Sequence, residues 1–164
     1  MDFSELYEKN FDKIYAYARC RLGTDVAAED VCSAVFGKAF EYFSRYDPAR
    51  GEPAQWLFGI ARNEVNYHLR RSTILNFLPL DLFGDIFSEK LHDQGDASGE
   101  NVRELCAALK ELDSKEQDLI ALKLYSEFNN RQIAAMTGLS ESNVGTILYR
   151  CMDKLRRKLA AEGL

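Results

Sequence analysis

The stretch at residues 73–101 divides the chain into two parts and limits the folds that it can adopt. It contains Pro79 and three glycines, and Lys90, its single basic residue, faces six acidic ones. Such a composition is typical of a solvated linker. On either side of it, apolar residues recur at the spacing of an α-helix. We therefore predict an all-α protein with two small helical domains, at residues 1–72 and 102–164, joined by a flexible acidic linker at residues 73–101.

The overall charge limits how this chain could contact nucleic acid. The net charge is −5 over 164 residues, and the pI is about 5.1. Non-specific affinity for DNA comes mainly from neutralising phosphates, so an acidic chain does not coat nucleic acid by bulk attraction. Because the acidity is concentrated in the linker, any contact with DNA must be made by local basic surfaces of the two domains.

The cysteines and the N-terminal sequence indicate a cytoplasmic protein. Cys20, Cys32, Cys106 and Cys151 show no C-x-x-C spacing, which is typical of reduced, buried thiols. The N-terminus lacks a basic start followed by an apolar stretch, and no run approaches the roughly 20 apolar residues of a membrane span. We expect no direct insertion into a membrane.

The first domain is predicted to contain three helices. The first covers residues 4–22 and stops at Gly23, and the second is capped by Asp25 and ends near Arg45. Residues 46–53 hold two prolines and a glycine, which is loop chemistry, and the third helix follows at residues 54–71. Trp56 in this helix is more typical of a core residue than of a stacking platform.

The second domain is predicted to end in a helix-turn-helix. Capping-box patterns starting at Asn101 and Ser114 indicate helices that begin near residues 102 and 115. A further helix begins near Arg131, Gly138 supplies a short turn, and Ser140 caps a long last helix. Two helices joined by a short glycine-containing turn form the pattern of many DNA-binding proteins.

Two sets of motifs on opposite sides of the linker closely resemble the extracytoplasmic-function (ECF) sigma factors of the sigma-70 family. The motifs similar to that family's second region are Ala28-Glu29-Asp30-Val31, Phe36, Tyr46-Asp47-Pro48, Trp56-Leu57-Phe58-Gly59-Ile60-Ala61-Arg62-Asn63 and His68-Leu69-Arg70-Arg71. The segment from Leu109 to Leu159 similarly looks like the fourth region. The resemblance implies an RNA polymerase sigma factor without a cofactor. Its first domain would bind polymerase and open the minus-ten element, and its second would read the minus-thirty-five element as duplex.

The resemblance also places the minus-ten contacts. Recognition of single-stranded bases requires a pocket for an extruded base, donors on its rim and cations for the backbone. In the family, the loop before the third helix helps to form the pocket, which implies a role there for Asp47, Arg50 and Asn63. The residues implied to lie near DNA are Arg62, Tyr67, Arg70 and Arg71. The alternative is that Arg62, Arg70 and Arg71 form only a solvated helix face.

Recognition of the minus-thirty-five element is expected from the last helix, whose N-terminal residues would reach base edges. The expected contacts are Arg131, Ser140, Glu141, Ser142, Asn143, Thr146 and Arg150. Gly145 and Ile147 stand at positions that are often basic in the family. Phosphate contacts must then come from other cations, and we name Arg131, Arg150, Lys154 and Arg157. The basic run at residues 154–158 is otherwise typical of a solvated helix end.

Polymerase binding in the family lies on the second helix, which here implies Glu29, Asp30, Ser33 and Phe36. Ser33 replaces a glutamine that is common in the family, and Ala34 replaces an acid. Loss of one side-chain contact at such an interface costs about 1–2 kcal/mol. For an isolated Glu-Asp pair, the alternative is that the charges complement the helix dipole.

The implied partners are core RNA polymerase, promoter DNA and an anti-sigma factor. Polymerase would be contacted at the clamp helices and the flap of its large subunit. The alternative function is a sigma-like adaptor or decoy that binds polymerase or an anti-sigma factor without initiating transcription. A repressor with the same motif would need a ligand pocket or a dimer helix. An enzyme is the class least supported, because His68 and His92 have no metal-ligand spacing and no nucleophile has a base.

The linker itself leaves two alternatives open. Its first part, residues 74–87, is rich in large apolar side chains, which a freely mobile connector does not need. We expect part of it to dock on one of the domains. Linkers in the family run through the polymerase channel, and an acidic chain could imitate nucleic acid there.

Overall fold

The computed structural model describes residues 2–77 and 108–161, with side chains as far as Thr73 in the first segment. Every regular element in these segments is helical, which confirms the predicted all-α class. The α-helices discussed below are α1 (Phe3–Leu22), α2 (Asp25–Tyr42), α3 (Pro53–Phe77), α4 (Ser114–Tyr125), α5 (Asn130–Thr137) and α6 (Glu141–Ala161). Short 3-10 turns at Phe43–Arg45 and Pro48–Arg50 connect α2 to α3. None of the described helices is long and apolar enough to cross a membrane.

The start of α2 differs by one residue from the prediction. The cap is Thr24, whose hydroxyl accepts a hydrogen bond from the backbone N–H of Ala27 at 3.3 Å. Asp25 is instead the first helical residue, and its carboxylate accepts from Arg19 Nε at 2.6 Å and from the Tyr15 hydroxyl at 3.0 Å. These bonds hold the pKa of Asp25 below its usual value. Because Thr and Asp are both good caps, the sequence alone could not choose between neighbours.

Helix α3 carries most of the predicted site and is longer than predicted. It begins at Pro53, whose missing N–H costs nothing in the first turn of a helix. It then continues to Phe77, beyond the predicted end at Arg71 and into the predicted linker. The predicted helix start near 102 and the remainder of the apolar segment at 78–87 lie outside the described residues.

Helix α4 also begins one residue earlier than predicted. Asp113 is the cap, and its carboxylate accepts from the backbone N–H of Glu116 at 2.8 Å. Glu116 completes the capping box by accepting from the backbone N–H of Asp113 at 3.1 Å. The predicted cap at Ser114 is therefore wrong, because the reciprocal partner lies three residues after Asp113.

The predicted helix-turn-helix is confirmed as α5 and α6. A turn at Gly138 separates them, with φ at 73°, in the left-handed region that glycine adopts without strain. Ser140 caps α6 as predicted, since its Oγ accepts from the backbone N–H of Asn143 at 3.1 Å. The two helices therefore have a fixed mutual orientation.

The hydrophobic core extends from the first half of the chain into the second. Tyr17 of α1 and Phe58 of α3 are fully buried, with ring centroids 5.8 Å apart. Phe58 also packs edge-on against Phe128, which lies between α4 and α5, at 5.3 Å. Helix α1 packs against α4 as well as against α2 and α3. The two halves of the chain therefore share a continuous interface.

Two cysteines of this core are expected to resist alkylation in the folded protein. Burial raises the pKa of the Cys32 and Cys151 thiols to about 11. Because the thiolate is the nucleophile, we expect both to react at pH 7.5 at least about a hundredfold more slowly than in urea. Iodoacetamide labelling with mass spectrometry measures each rate, which should rise as the pH approaches 11. Equal rates for Cys32 in the folded and urea-unfolded protein would contradict this expectation.

Candidate nucleic-acid interface

A cavity of about 450 Å³ lies beside the loop between α2 and α3. Its lining comes from that loop, from α3 and from the second half of the chain. The lining residues are Arg45, Tyr46, Asp47, Arg50, Gly51, Glu52, Gln55, Trp56, Gly59, Arg62, Asn63, Ala135 and Met136. The loop and α3 together therefore place amide, carboxylate and guanidinium groups around an aromatic wall, as recognition of an extruded base requires.

Local hydrogen bonds fix the shape of this loop. The Asp47 carboxylate caps the second 3-10 turn by accepting from the backbone N–H of Ala49 at 3.0 Å. The Tyr46 hydroxyl donates to the backbone oxygen of Gly51 at 2.6 Å. Gly51 has φ at 139°, a backbone conformation that residues with a Cβ rarely adopt. The Tyr46 ring lies 5.4 Å from the half-buried Trp56, which is a wall of the cavity and part of the core.

Three of the residues predicted at the pocket lie together at this cavity. Asp47, Arg50 and Asn63 are exposed, and all three line it. Arg50 Nε is 3.7 Å from the Asp47 carboxylate, with the arginine side chain 89% exposed. An ion pair this exposed contributes little stability, so the Arg50 guanidinium can turn toward another anion.

The other predicted minus-ten residues lie along α3 and differ in their surroundings. Tyr67, Arg70 and Arg71 are exposed, so they are accessible to a nucleic-acid backbone. Arg62 is not. Its Nε donates to Asp118 Oδ2 of α4 at 2.6 Å, and its Nη1 donates to the backbone oxygen of Met136 at 3.0 Å. Arg62 is therefore not part of a solvated face, because both of its partners belong to the second half of the chain, and its contact with DNA stays a prediction.

The polar group around Asp118 was not predicted from the sequence. Asp118 is 5% exposed, and its Oδ1 accepts from the Tyr17 hydroxyl at 2.6 Å. Burial, together with this carboxylate, raises the pKa of Tyr17 well above its usual value, so the hydroxyl remains a donor. Arg21 Nε lies 3.9 Å from the same oxygen and has no hydrogen-bond partner among the described residues. The remaining Arg21 nitrogens bind Asn66 and the backbone oxygen of Ser114.

The start of α6 presents the predicted reading residues to solvent. The exposed residues there are Ser140, Glu141, Ser142, Asn143, Thr146 and Arg150, and Arg131 is exposed on α5. Two of their hydroxyls are engaged locally, because Ser140 caps the helix and Thr146 Oγ1 donates to the backbone oxygen of Ser142 at 3.0 Å. Ile147 packs partly buried against the core, which explains an apolar residue where the family often has a basic one.

The predicted polymerase surface is acidic, and one of its residues lies in the core. Glu29, Asp30 and Ser33 are exposed on α2. Glu29 and Asp30 lie beyond the first turn of α2, and the helix dipole acts mainly within that turn. A favourable interaction with the dipole therefore does not account for this acidic pair. Phe36 is only 7% exposed, with its ring 4.6 Å from that of Tyr7. In this conformation the aromatic side chain stabilises the packing of α2 on α1, and its contact with polymerase stays a prediction.

No metal centre is formed by the residues that the structure describes, since nowhere in them do three His, Cys, Asp or Glu side chains converge on an ion. Of the two histidines, His68 is half-buried on α3, and His92 lies outside the described residues.

Comparison with known proteins gives consistent matches for both halves. Residues 6–73 match the family model for sigma-70 region 2, and residues 108–157 match that for sigma-70 region 4. The chain is 24% identical to the ECF RNA polymerase sigma factor SigM of Bacillus subtilis, covering 95% of this chain and 94% of SigM. It is 28% identical to the ECF RNA polymerase sigma factor RpoE of Cereibacter sphaeroides, covering 96% of this chain and 86% of the relative.

Solved structures share the fold. The sigma factor RpoE of Bartonella quintana, crystallised with the anti-sigma factor NepR, superposes with a TM-score of 0.77 at 21% identity, covering 97% of each chain. CnrH in complex with the cytosolic domain of CnrY superposes with a TM-score of 0.70 at 23% identity, covering 98% of this chain and 89% of CnrH.

Proposed function

Because this chain belongs to the ECF sigma factors of the sigma-70 family, and so directs core RNA polymerase to promoters, we propose that its two halves divide promoter recognition. Residues 1–72 bind polymerase and the minus-ten element, and residues 102–164 bind the minus-thirty-five element. Residues 73–101 link these two halves. Helix α3 crosses the first of these boundaries, since it runs on to Phe77.

The cavity beside the α2–α3 loop is the proposed site for an extruded base of the minus-ten element. The observation that carries this proposal is the exposure of Asp47, Arg50 and Asn63 around a cavity with a tryptophan wall. A flipped base needs hydrogen-bonding groups for its edge and an aromatic or apolar surface for its face. The exposed Tyr67, Arg70 and Arg71 then contact the backbone of the strand. Arg62 would join them only after leaving Asp118.

The N-terminal turns of α6 are the proposed reading surface for duplex DNA. Asn143 and Arg150 carry the side chains suited to adenine and to guanine or phosphate, and both are exposed. Glu141, Ser142 and Thr146 lie on the same exposed segment, while Ser140 fixes the start of the helix. Arg131 on α5 supplies a backbone contact.

Binding to the minus-thirty-five element is expected to depend only weakly on salt. Lys154 and Arg157 lie in the C-terminal half of α6, away from the N-terminal turns proposed to read DNA, which leaves Arg131 and Arg150 as the best placed cations. Two phosphate contacts give a log–log slope of affinity against salt of about −2. Fluorescence anisotropy with a duplex selected for binding measures the slope, and Arg150→Ala should reduce it by about 1. A slope steeper than about −4 would contradict this assignment.

The exposed acids Glu29 and Asp30, with Ser33, form the proposed contact with the clamp helices of the large polymerase subunit. Acidic side chains on one exposed helix complement a basic helical surface. Phe36 supports this contact from the core beneath α2. The second half is proposed to bind the flap of the same subunit.

Run-off transcription tests the proposed function as a whole. Templates selected for binding by the chain with core polymerase are transcribed by the holoenzyme and by core alone. A sigma factor gives a transcript with a defined start only in the first reaction. A sigma-like adaptor would bind core without producing that transcript, and this outcome would overturn the proposal.

An anti-sigma factor is a further proposed partner. Supporting it, the Bartonella quintana relative of the same fold was crystallised with an anti-sigma factor. We also expect the chain to have no catalytic activity of its own and to act in the cytoplasm, where polymerase is found. Co-purification of a tagged copy from its own host tests the partner.

A further inference from the structure

Tyr149 of α6 is an exposed aromatic residue that has no role in the reading surface proposed so far. Its exposed fraction, 73%, is the highest among the large apolar side chains in the described part of the chain. Tyr149 follows Ser142 by seven residues and Thr146 by three, and both spacings keep side chains on one face of an α-helix. The opposite side of α6 is buried in the core through Val144, Leu148, Cys151 and Leu155. Tyr149 therefore lies on the face that is proposed to meet DNA.

Thr146, one turn before Tyr149, offers a methyl group on this face. Its Oγ1 donates to the backbone oxygen of Ser142 at 3.0 Å, within the same helix. A threonine hydroxyl that is bonded to its own helix in this way no longer seeks a partner outside it. Because Thr146 is exposed, its methyl group is the part of the side chain that remains to contact a ligand.

Gly145 leaves space beside these two side chains. In an α-helix a side chain leans toward the residues three and four positions before it, so the Tyr149 ring leans over Gly145 and Thr146. A Cβ built at Gly145 would have one neighbour within 4 Å, Asn130 Nδ2 at 3.5 Å, which is an ordinary contact. The space is therefore open in the part of the chain that the structure describes, and Gly145, Thr146 and Tyr149 border a small apolar depression.

The next turn of α6 limits this surface. Asp153, four residues after Tyr149, carries a carboxylate that pairs with Arg157 at 2.7 Å. An acid on this face repels the phosphates of a duplex. The contact of α6 with DNA is therefore expected to end near Tyr149 and Arg150, so the apolar depression lies at the limit of the reading surface.

We propose that Gly145, Thr146 and Tyr149 form a site for the 5-methyl group of one thymine in the minus-thirty-five element. This inference rests on the proposed reading of that element by α6. Among the four bases, only thymine presents a methyl group in the major groove, and apolar side chains recognise it there. The Tyr149 ring and the Thr146 methyl group exclude water from the thymine methyl, and Gly145 makes room for it.

Deoxyuridine tests this site because it differs from thymidine only by the missing methyl group. The probe is a fluorescein-labelled promoter duplex selected for binding by the holoenzyme, with each thymine of the minus-thirty-five element replaced in turn. Fluorescence anisotropy measures the affinity of the holoenzyme for each duplex. We expect one replacement to weaken wild-type binding about fourfold, which corresponds to the burial of one methyl-sized apolar group.

Two variants should abolish this preference for thymine. Tyr149→Ala removes the ring, and Gly145→Ala fills the depression with a Cβ, so thymine and uracil should be bound equally in both. Tyr149→Phe keeps the ring and should retain the preference of about fourfold. The control Leu124→Ala removes another exposed apolar side chain, on α4, and should also retain it. Circular dichroism verifies that each variant is folded, and the same duplexes in every titration cancel any effect of uracil on DNA shape.

The outcomes separate this site from the proposed function. A preference for thymine that is absent in the wild type, or that persists in Tyr149→Ala, overturns the methyl site, as does a selected element without any A·T pair. If Arg150→Ala still weakens binding in that case, the reading surface on α6 stands and only the methyl site is lost. If Arg150→Ala and Tyr149→Ala both bind the duplex as tightly as the wild type, the proposed reading surface fails as well.

Discussion

Replacing Phe58 by alanine is expected to lower the free energy of unfolding by about 3–5 kcal/mol. The Phe58 side chain is fully buried, and its ring packs edge-on against Tyr17 of α1 and Phe128 of the second half. Alanine removes the ring and leaves a cavity among the surrounding core side chains. Urea denaturation followed by circular dichroism at 222 nm measures the loss.

The control for this substitution is Phe40→Ala. Phe40 is 69% exposed, although its ring touches Phe3 at 5.1 Å. Its removal is expected to cost less than about 1 kcal/mol. Similar losses from the two substitutions would show that Phe58 is not a central core residue, and the packing of the two halves described above would be wrong.

Reversing the charges of Glu29 and Asp30 is expected to weaken binding to core polymerase about a hundredfold. Both side chains are exposed on α2 and are proposed to face a basic helical surface. Like charges brought together at an interface cost several kcal/mol, and about 2.7 kcal/mol corresponds to this factor. Titration of a labelled Glu29→Lys, Asp30→Lys chain with core polymerase measures the change.

A matched control makes this result specific to the acidic pair. Glu8 and Asp12 are exposed acids on α1, and Glu8→Lys with Asp12→Lys changes the net charge by the same amount. If the position of the acids and not the net charge determines the affinity, this control should bind core polymerase within about twofold of the wild type. Equal weakening in both double variants would exclude a specific role for Glu29 and Asp30.

The helices and the helix-turn-helix were predictable because local signals determine them. Apolar spacing, the prolines of the α2–α3 loop and Gly138 identify the elements without any knowledge of their packing. The caps at Thr24 and Asp113 were misassigned because each lies next to another good cap, and only the bonds that form decide between them. The end of α3 was missed for a similar reason, since no proline or glycine stands at Arg71 to stop it.

The role of Arg62 could not be predicted, because it depends on how the two halves are arranged. Its partner Asp118 is 56 residues away in sequence, with the whole connector between them. Arg21 lies in the last turn of α1, where a cation is ordinarily solvated, yet it is buried at the same interface. A clue was present in Asp118 itself, an acid directly followed by four apolar residues that the structure buries.

The bond between Arg62 and Asp118 joins two halves whose sequences are separated by the whole connector. A chain cut within the connector would therefore leave two fragments that still touch, through this buried carboxylate and through the packing of Phe58 on Phe128. Such a nicked protein should elute from a sizing column with the intact chain and separate into its two fragments only in denaturant.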